Sequence, residues 1–257
     1  KENSMTLDFY KNTLSPEFIK QLTSISFCGN FGDAILNKDF IDMVRYTTES
    51  NPNIYIDVYT NGSARNVAWW AELAQALPEN HLVQFGIDGL EDTHHLYRVG
   101  TNFNKIIENA TSFINAGGKA RWNFITFKHN EHQLDACRQL ASELKFHSFY
   151  EMQTSKFIGQ PWADVCNNKG EVLYKLEEPS TRKIVFIEKK TVDQFKELVN
   201  SANITCEAKQ NKGVYIDAQG YLWPCSWTGA IPYLYSPTQD ILYNFNFDIC
   251  IYCIFIW

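Results

Sequence analysis

The feature that most constrains this 257-residue chain is a strand–helix alternation that recurs roughly every thirty residues. Short apolar runs suited to buried strands occur at LTSISFCG (22–29), IYIDVYT (54–60), LVQFGID (82–88), Arg121 to Phe127 and His147 to Met152. Between them lie segments of helical period. In DFIDMVRYTTES, Phe40, Met43, Val44 and Thr47 share one face; Ala64 to Leu77 follows, then Phe103 to Gly117 and Glu131 to Leu144. The third is the clearest, with Phe103, Ile106, Ile107, Ala110, Phe113 and Ile114 in register and Gly117-Gly118 as its stop. This is the repeat of right-handed βαβ units on a parallel sheet. Five units are too few to close an eight-stranded barrel, so an open or partial barrel is expected. In such sheets the working residues follow the strand C-termini. Here those positions are Gly29-Asn30-Phe31-Gly32-Asp33, Thr60-Asn61-Gly62, Asp88-Gly89 and Lys128-His129-Asn130.

Composition narrows the functional classes. With 45% hydrophobic and 20% charged residues the chain can bury a core. A net charge of −6 and no Lys/Arg cluster longer than a pair speak against a nucleic-acid partner. The most apolar run, Ile249 to Trp257, is far shorter than the about 20 residues of a spanning helix, and KENSMTLDFY lacks the apolar stretch of a secretory signal. No membrane association is expected. Seven cysteines, an odd count in a long chain, fit a reducing cytoplasm that leaves thiols free for metal.

Beyond about residue 155 the pattern changes. Residues 159–183 mix Gly, Pro, Asn and charges and read as a loop or linker; a strand is expected at 184–187 and a helix over 192–200. GVYIDAQGYLWPC (213–225) alternates on both sides of Asp217 to Gly220, a hairpin pattern. Cys206 and Cys225 flank this hairpin, and Cys250 and Cys253 form a Cys-x-x-Cys. Four thiolates so spaced suit iron–sulfur or zinc, against the alternative of four unrelated cysteines. Cys28 and Cys137 read as core residues, and Cys166 as a loop residue without a partner. His94, His95, His129 and His132 lack the spacing of a helical zinc motif and read as loop or ligand contacts. Trp69-Trp70, Trp223 and Trp227 read as packing. Three regions result: a barrel over 1–158, a linker or insertion over 159–190 and a small C-terminal domain over 191–257.

FCGNFGDAILNKDF (27–40) resembles the second-strand motif of radical S-adenosylmethionine (radical SAM) enzymes, with Phe-Gly-Asp-Ala where Gly-Gly-Glu-Pro is usual. VYTNGS (58–63) is similar to their third-strand Thr-Asn-Gly, and FGIDGLEDTHHLYRVG (85–100) to their fourth-strand Ile-Asp-Gly with its following His and Tyr-Arg. The segment from Cys206 to Cys225, with Pro-Cys-x-Trp after Asp-x-x-Gly, resembles the start of a SPASM or twitch domain.

This resemblance implies a partial (β/α)6 barrel, its first strand missing or truncated, followed by a small hairpin-containing domain of twitch or SPASM type. It implies S-adenosylmethionine and a [4Fe-4S] cluster as cofactors, and a 5′-deoxyadenosyl radical that abstracts hydrogen, with a peptide or protein side chain as substrate. A reductant such as flavodoxin or ferredoxin would supply the electron. An auxiliary iron–sulfur cluster would fall to Cys206, Cys225, Cys250 and Cys253. Cofactor binding would fall to Gly32, Asp33, Thr60, Asn61, Asp88, Arg98 and His129. Asp33 would face the methionine ammonium, Arg98 the carboxylate, and Asn61 and Asp88 the ribose or substrate. Each has a plain alternative: a helix cap for Asp33, turn formers for Asn61 and Asp88, a surface arginine for Arg98. No catalytic residue is assigned. The defining Cys-x3-Cys-x2-Cys is not in this sequence and is expected upstream of Lys1, the chain reading as an N-terminal truncation; Ser226 stands where many relatives carry a further cysteine. The rival reading is a non-catalytic peptide-binding module on the same fold that has lost the radical cluster.

Overall fold

A computed structural model describes residues 4–29, 32–152, 154–157, 161–167, 170–181, 197, 201, 210, 213–217, 220–223 and 249–255. It opens with two short helices, α1 (Leu7–Thr13) and α2 (Pro16–Ile19). The Thr6 hydroxyl accepts from the Phe9 N–H at the first, and the Ser15 hydroxyl from Phe18 at the second, where Pro16 takes the first turn. α1 is too short to persist alone and is held by Tyr10, fully buried with its hydroxyl 2.7 Å from that of Thr47.

The alternation then runs as expected: β1 (Leu22–Cys28), α3 (Phe40–Ser50), β2 (Tyr55–Thr60), α4 (Val67–Ala76), β3 (His81–Gly86), α5 (His94–Tyr97), α6 (Phe103–Asn115), β4 (Ala120–Ile125), α7 (Leu134–Glu143) and β5 (Ser148–Met152). Five strands lie side by side in the order β5-β4-β3-β2-β1, every pair parallel. Chain order preserved across a parallel sheet, with crossovers of one hand, is the winding of a barrel rather than of a doubly wound sheet. The core accordingly sits on one side. Ile56 and Val58 of β2, Val83 and Phe85 of β3, and Trp122 and Phe124 of β4 are all fully buried and pack with Trp70 of α4 and Phe113 of α6. Strand pleating turns the intervening residues, Asp57, Gln84 and Asn123 among them, to the concave face.

Three departures enlarge this plan. The segment from 159, read as linker, contains β6 (Trp162–Cys166) paired antiparallel with β7 (Val172–Glu177). Its Ala163, Val165 and Leu176 form a second apolar cluster with Phe127 and Phe157. The pairing escapes the sequence because only Leu176 of the six β7 residues is buried, so no alternation shows. Second, β10 (Ile249–Phe255) lies parallel to β1 on one side and to β8 (Gly213–Ile216) on the other. Cys250 is opposite Ser24 and Gly213, and Cys253 is opposite Tyr215. Third, Cys28 is half-buried rather than a core residue. The expected hairpin is present: β8 pairs antiparallel with β9 (Leu222–Trp223), and Gly220 turns at φ +81°. Asp217 secures the turn, accepting from the Tyr221 N–H at 2.9 Å and the Trp223 indole at 3.0 Å.

Cys137 is buried, its thiol pushed up to about 12 by burial, and Trp70 and Trp223 pack as expected. The strand expected at 184–187, Cys206, Cys225 and Trp227 lie outside the described residues; of the helix expected over 192–200 only Glu197 is described, and it is helical. No described helix is long and apolar enough to cross a membrane.

Candidate functional site

At the C-terminal ends of the parallel strands the structure encloses a cavity of about 230 Å³. Its wall brings together Gly32 and Asp33 after β1, Thr60 and Asn61 at the end of β2, and Arg98 after α5. Asp33 is the best-secured of these. One carboxylate oxygen accepts from the Thr60 hydroxyl (2.7 Å) and the Asn61 N–H (2.9 Å), the other from the Ile35 N–H (3.3 Å). The last bond makes Asp33 the N-cap of the short 3₁₀ turn at Ala34–Leu36, so the capping alternative holds in the structure. It does not exhaust the group. A carboxylate has about four lone-pair sites, and three are filled among the described residues, which leaves one acceptor. Burial pushes the Asp33 carboxyl up from its ordinary range, opposed by the Asn61, Thr60 and Ile35 hydrogen bonds and by the Arg98 charge.

Sequence reading misses what fixes this loop. Arg65 adopts φ +67°, a left-handed backbone costly for a side chain of its size. There its guanidinium donates to the carbonyls of Ile35 (2.7 Å), Leu36 (3.0 Å) and Asn37 (2.9 Å). Those carbonyls belong to a turn thirty residues upstream, so no local pattern announces the clamp.

Arg98 is held from behind. Its Nε donates to Asp88 Oδ2 at 2.6 Å, while Asp88 Oδ1 accepts from the Ile125 N–H at 2.6 Å. Asp88 is fully buried, and burial pushes its carboxyl up against the pull of Arg98 and the Ile125 N–H. Burial works against the Arg98 charge too, but Asp88, Tyr97 and Asp33 outweigh it and hold the guanidinium above its usual range. The Nη groups make no hydrogen bond among the described residues. A Cβ on Gly86 would come within 2.7 Å of one of them, so the guanidinium lies directly against the β3 backbone here. Thus Asp88 supports the wall through Arg98 rather than lining it, and Arg98 is no surface residue.

Two more residues brace this corner. His94, fully buried, accepts the Asp88 N–H at Nδ1 (3.1 Å), so its proton sits on Nε2, 3.0 Å from the Thr101 hydroxyl. Burial, with the Arg98 and His95 charges, pushes its pKa down to about 4. His95, next to it, is exposed. Asn130 donates to the carbonyls of Asp88 (3.1 Å) and Ile125 (2.9 Å) and accepts from Phe127 (2.7 Å), tying the loops after β3 and β4 together.

His129 is not brought to this wall. It stacks on Phe127 at 5.4 Å, with both ring nitrogens buried and unpartnered among the described residues. Gln84 and Asn123, not singled out from the sequence, line the wall instead, and Asp57 stands behind them on the concave face, bonded to Gln84. Each is a polar residue with an apolar neighbour on both sides within its strand, and that was the available signal. Among the described residues no group of three or more His, Cys, Asp or Glu can hold a metal ion. Cys137 and Cys166 are free thiols, and Cys206 and Cys225 lie outside the described residues.

A polar cavity at the strand ends of a partial parallel barrel is the architecture of radical SAM proteins, and the chain has that fold. It is similar to SuiB of Streptococcus suis, with a TM-score of 0.58 and 15% identity over 91% of this chain and 58% of that one. SuiB bound to its precursor peptide SuiA gives 0.56 and 16% over 88% of this chain and 56% of that one. In sequence, 128 residues are 28% identical to a cysteine-type anaerobic sulfatase-maturating enzyme of Clostridium novyi, 47% of this chain and 30% of that protein. No family model matches the chain. The resemblance read from the sequence is therefore borne out at the level of the radical SAM superfamily, while the chain spans under a third of the curated relative.

Proposed function

We propose that this chain is the S-adenosylmethionine-binding barrel of a radical enzyme that modifies a peptide or protein side chain. The observation that carries the reading is the pairing of opposite charges across one cavity. Arg98 offers unbonded guanidinium donors, the geometry that suits a carboxylate, and Asp33 keeps an acceptor suited to an ammonium. An amino-acid end group has both. Thr60 and Asn61 hold Asp33 in place, and Asp88 and His94 hold Arg98. The peptide substrate is supported by the relatives, since SuiB is seen with a precursor peptide and the maturase acts on a sulfatase.

The described residues do not fit an iron–sulfur cluster. We propose with the radical reading a [4Fe-4S] cluster, a flavodoxin or ferredoxin reductant, and an auxiliary site at Cys206, Cys225, Cys250 and Cys253. What the barrel itself supplies is binding, orientation and exclusion of water.

Calorimetric titration of S-adenosylmethionine into the full-length protein, reconstituted anaerobically with iron and sulfide, tests this. Binding by the parent is expected, with Asp33→Ala and Arg98→Lys each weakening it about tenfold or more. A parent that binds no S-adenosylmethionine, or variants that bind as tightly as the parent, would overturn the reading. A protein that takes up no iron yet binds peptide would be the non-catalytic module.

A further inference from the structure

The concave face carries a hydrogen-bonded relay that ends in an unfilled acceptor. Asp57 on β2 accepts from the Gln84 amide nitrogen on β3, 2.8 Å to each carboxylate oxygen. Gln84 Oε1 in turn accepts from Asn123 Nδ2 on β4 at 2.9 Å. Asn123 Oδ1 is buried and has no partner among the described residues, while its residue is only 5% exposed and lines the cavity with Gln84 and Arg98. A buried amide oxygen left without a donor costs free energy, so an orphan of this kind asks for a ligand.

The polarity of the relay follows from chemistry. An ionised carboxylate only accepts, so Gln84 must present its NH₂ to Asp57 and its oxygen to Asn123. Asn123 then spends its NH₂ on Gln84, and what remains is an acceptor. Burial pushes the Asp57 carboxyl up from its ordinary range, and Gln84, Tyr59 and the Arg121 charge oppose this only in part.

The register shows where the relay leads. Asp57 is level with Leu82, Gln84 with Arg121, and Asn123 with Gly86. Each step across the sheet therefore climbs two residues towards the strand C-termini. The relay begins in mid-sheet and ends at the level of Gly86, where the Arg98 guanidinium sits.

We infer that Asn123 is a specificity-determining residue of this cavity: its side-chain oxygen accepts a hydrogen bond from an N–H or O–H donor of the bound nucleoside, and Asp57 fixes that polarity through Gln84. The inference rests on the reading of the cavity as an S-adenosylmethionine site. The donor is a ribose hydroxyl or the exocyclic amine, and both are the same chemistry to an amide oxygen.

The test uses the full-length reconstituted protein with S-adenosylmethionine, its 2′-deoxyribose and 3′-deoxyribose analogues, and its inosine analogue as probes. Asn123→Leu, close in size but without an acceptor, is expected to weaken S-adenosylmethionine about tenfold; Asn123→Asp, which keeps an oxygen there, is expected to lose less. One of the three analogues should bind the parent about tenfold less tightly and Asn123→Leu no less tightly than S-adenosylmethionine does, which names the donor. Asp57→Asn, a positioning variant, should shrink that discrimination because Gln84 is then free to turn over. A parent that binds while Asn123→Leu, with an unchanged circular dichroism spectrum, binds equally well would overturn this inference alone. A parent that binds no S-adenosylmethionine would instead remove the functional reading beneath it.

Discussion

One set of five strands carries two faces built on opposite rules. Towards the helices, β2, β3 and β4 present Ile56, Val58, Val83, Phe85, Trp122 and Phe124, all wholly buried. Aromatic rings mesh there: Trp70 lies 5.1 Å from Phe85, and Trp122 lies 5.4 Å from Phe146. Towards the concave side the same strands present Asp57, Gln84 and Asn123, joined by directional hydrogen bonds, and Arg121, which donates to the Ser148 hydroxyl. Apolar burial is non-directional and scales with area, so the helix face supplies most of the folding free energy. Buried polar groups must each find a partner, so the concave face adds little stability and much selectivity. Folding and recognition are thus separated by the pleat of a single strand.

Adjacent residues of β4 offer the widest test of this separation. Trp122→Ala removes a fully buried indole and its 2.7 Å bond to the Ile87 carbonyl. A loss of about 3–5 kcal/mol in unfolding free energy is expected. Asn123→Ala, one residue on, is expected to cost about 1 kcal/mol, since the deletion also removes an unsatisfied oxygen. Urea unfolding followed by tryptophan fluorescence and circular dichroism measures both. Equal losses would mean that the polar relay carries the fold as much as the core does.

Much of the helix face was legible in the sequence because burial on one side imposes a period. The segment Phe103 to Gly117 shows it best: Ile106, Ala110 and Phe113 are fully buried. The five strands, their helices and the Asp217–Gly220 turn follow from such local signals. The candidate site was legible only in part. Asp33, Thr60, Asn61 and Arg98 stand beside strand ends or motifs, and the structure gathers them at one cavity. Arg65, His94 and Asn130 act on loops that are distant in sequence or folded back, so their roles emerge only from tertiary geometry. Asn130 reaches Asp88 across 42 positions, and Arg65 reaches Ile35 across 30. The Asp57, Gln84 and Asn123 relay lies inside strands, where attention to strand ends passes it over. His129 shows the converse: a residue after a strand end whose ring is turned onto Phe127 instead.

His94 tests whether the division holds at the mouth of the cavity, where a core residue braces a wall residue. Its folded-state pKa is lowered from 6.5 to about 4, burial being the chief cause. The unfolded chain takes up a proton below its ordinary pKa that the folded protein refuses until far lower pH. The contribution of His94 is therefore complete above 6.5 and is lost as the pH falls through the window down to about 4. Two to three pKa units correspond to roughly 3 kcal/mol. Replacing it by Gln, which keeps an acceptor for the Asp88 N–H, should flatten that acid limb. Urea midpoints of parent and His94→Gln at pH 7, 5.5 and 4.5 measure it, and curves that stay parallel would show that the acid sensitivity lies elsewhere.

The smallest effect is expected at the opposite end of the barrel, in the turn before β5. Lys145 takes φ +62° just after α7, a left-handed conformation that ordinarily falls to glycine. Its N–H donates to the Ser142 carbonyl at 3.0 Å, and the next N–H, of Phe146, to Ala141 at 2.9 Å, which closes the helix. The strain is therefore in the backbone, and the lysine side chain does nothing to relieve it. Lys145→Gly removes the clash of Cβ with its own carbonyl, worth about 1–2 kcal/mol, and returns part of that as added freedom of the unfolded chain. A net gain of about 0.5–1 kcal/mol is expected. Because this turn touches no residue of the cavity wall, S-adenosylmethionine affinity should be unchanged while the urea midpoint rises. A gain in stability accompanied by weaker binding would show that the two ends of the barrel are coupled, and the separation of folding from recognition would then be one of faces but not of ends.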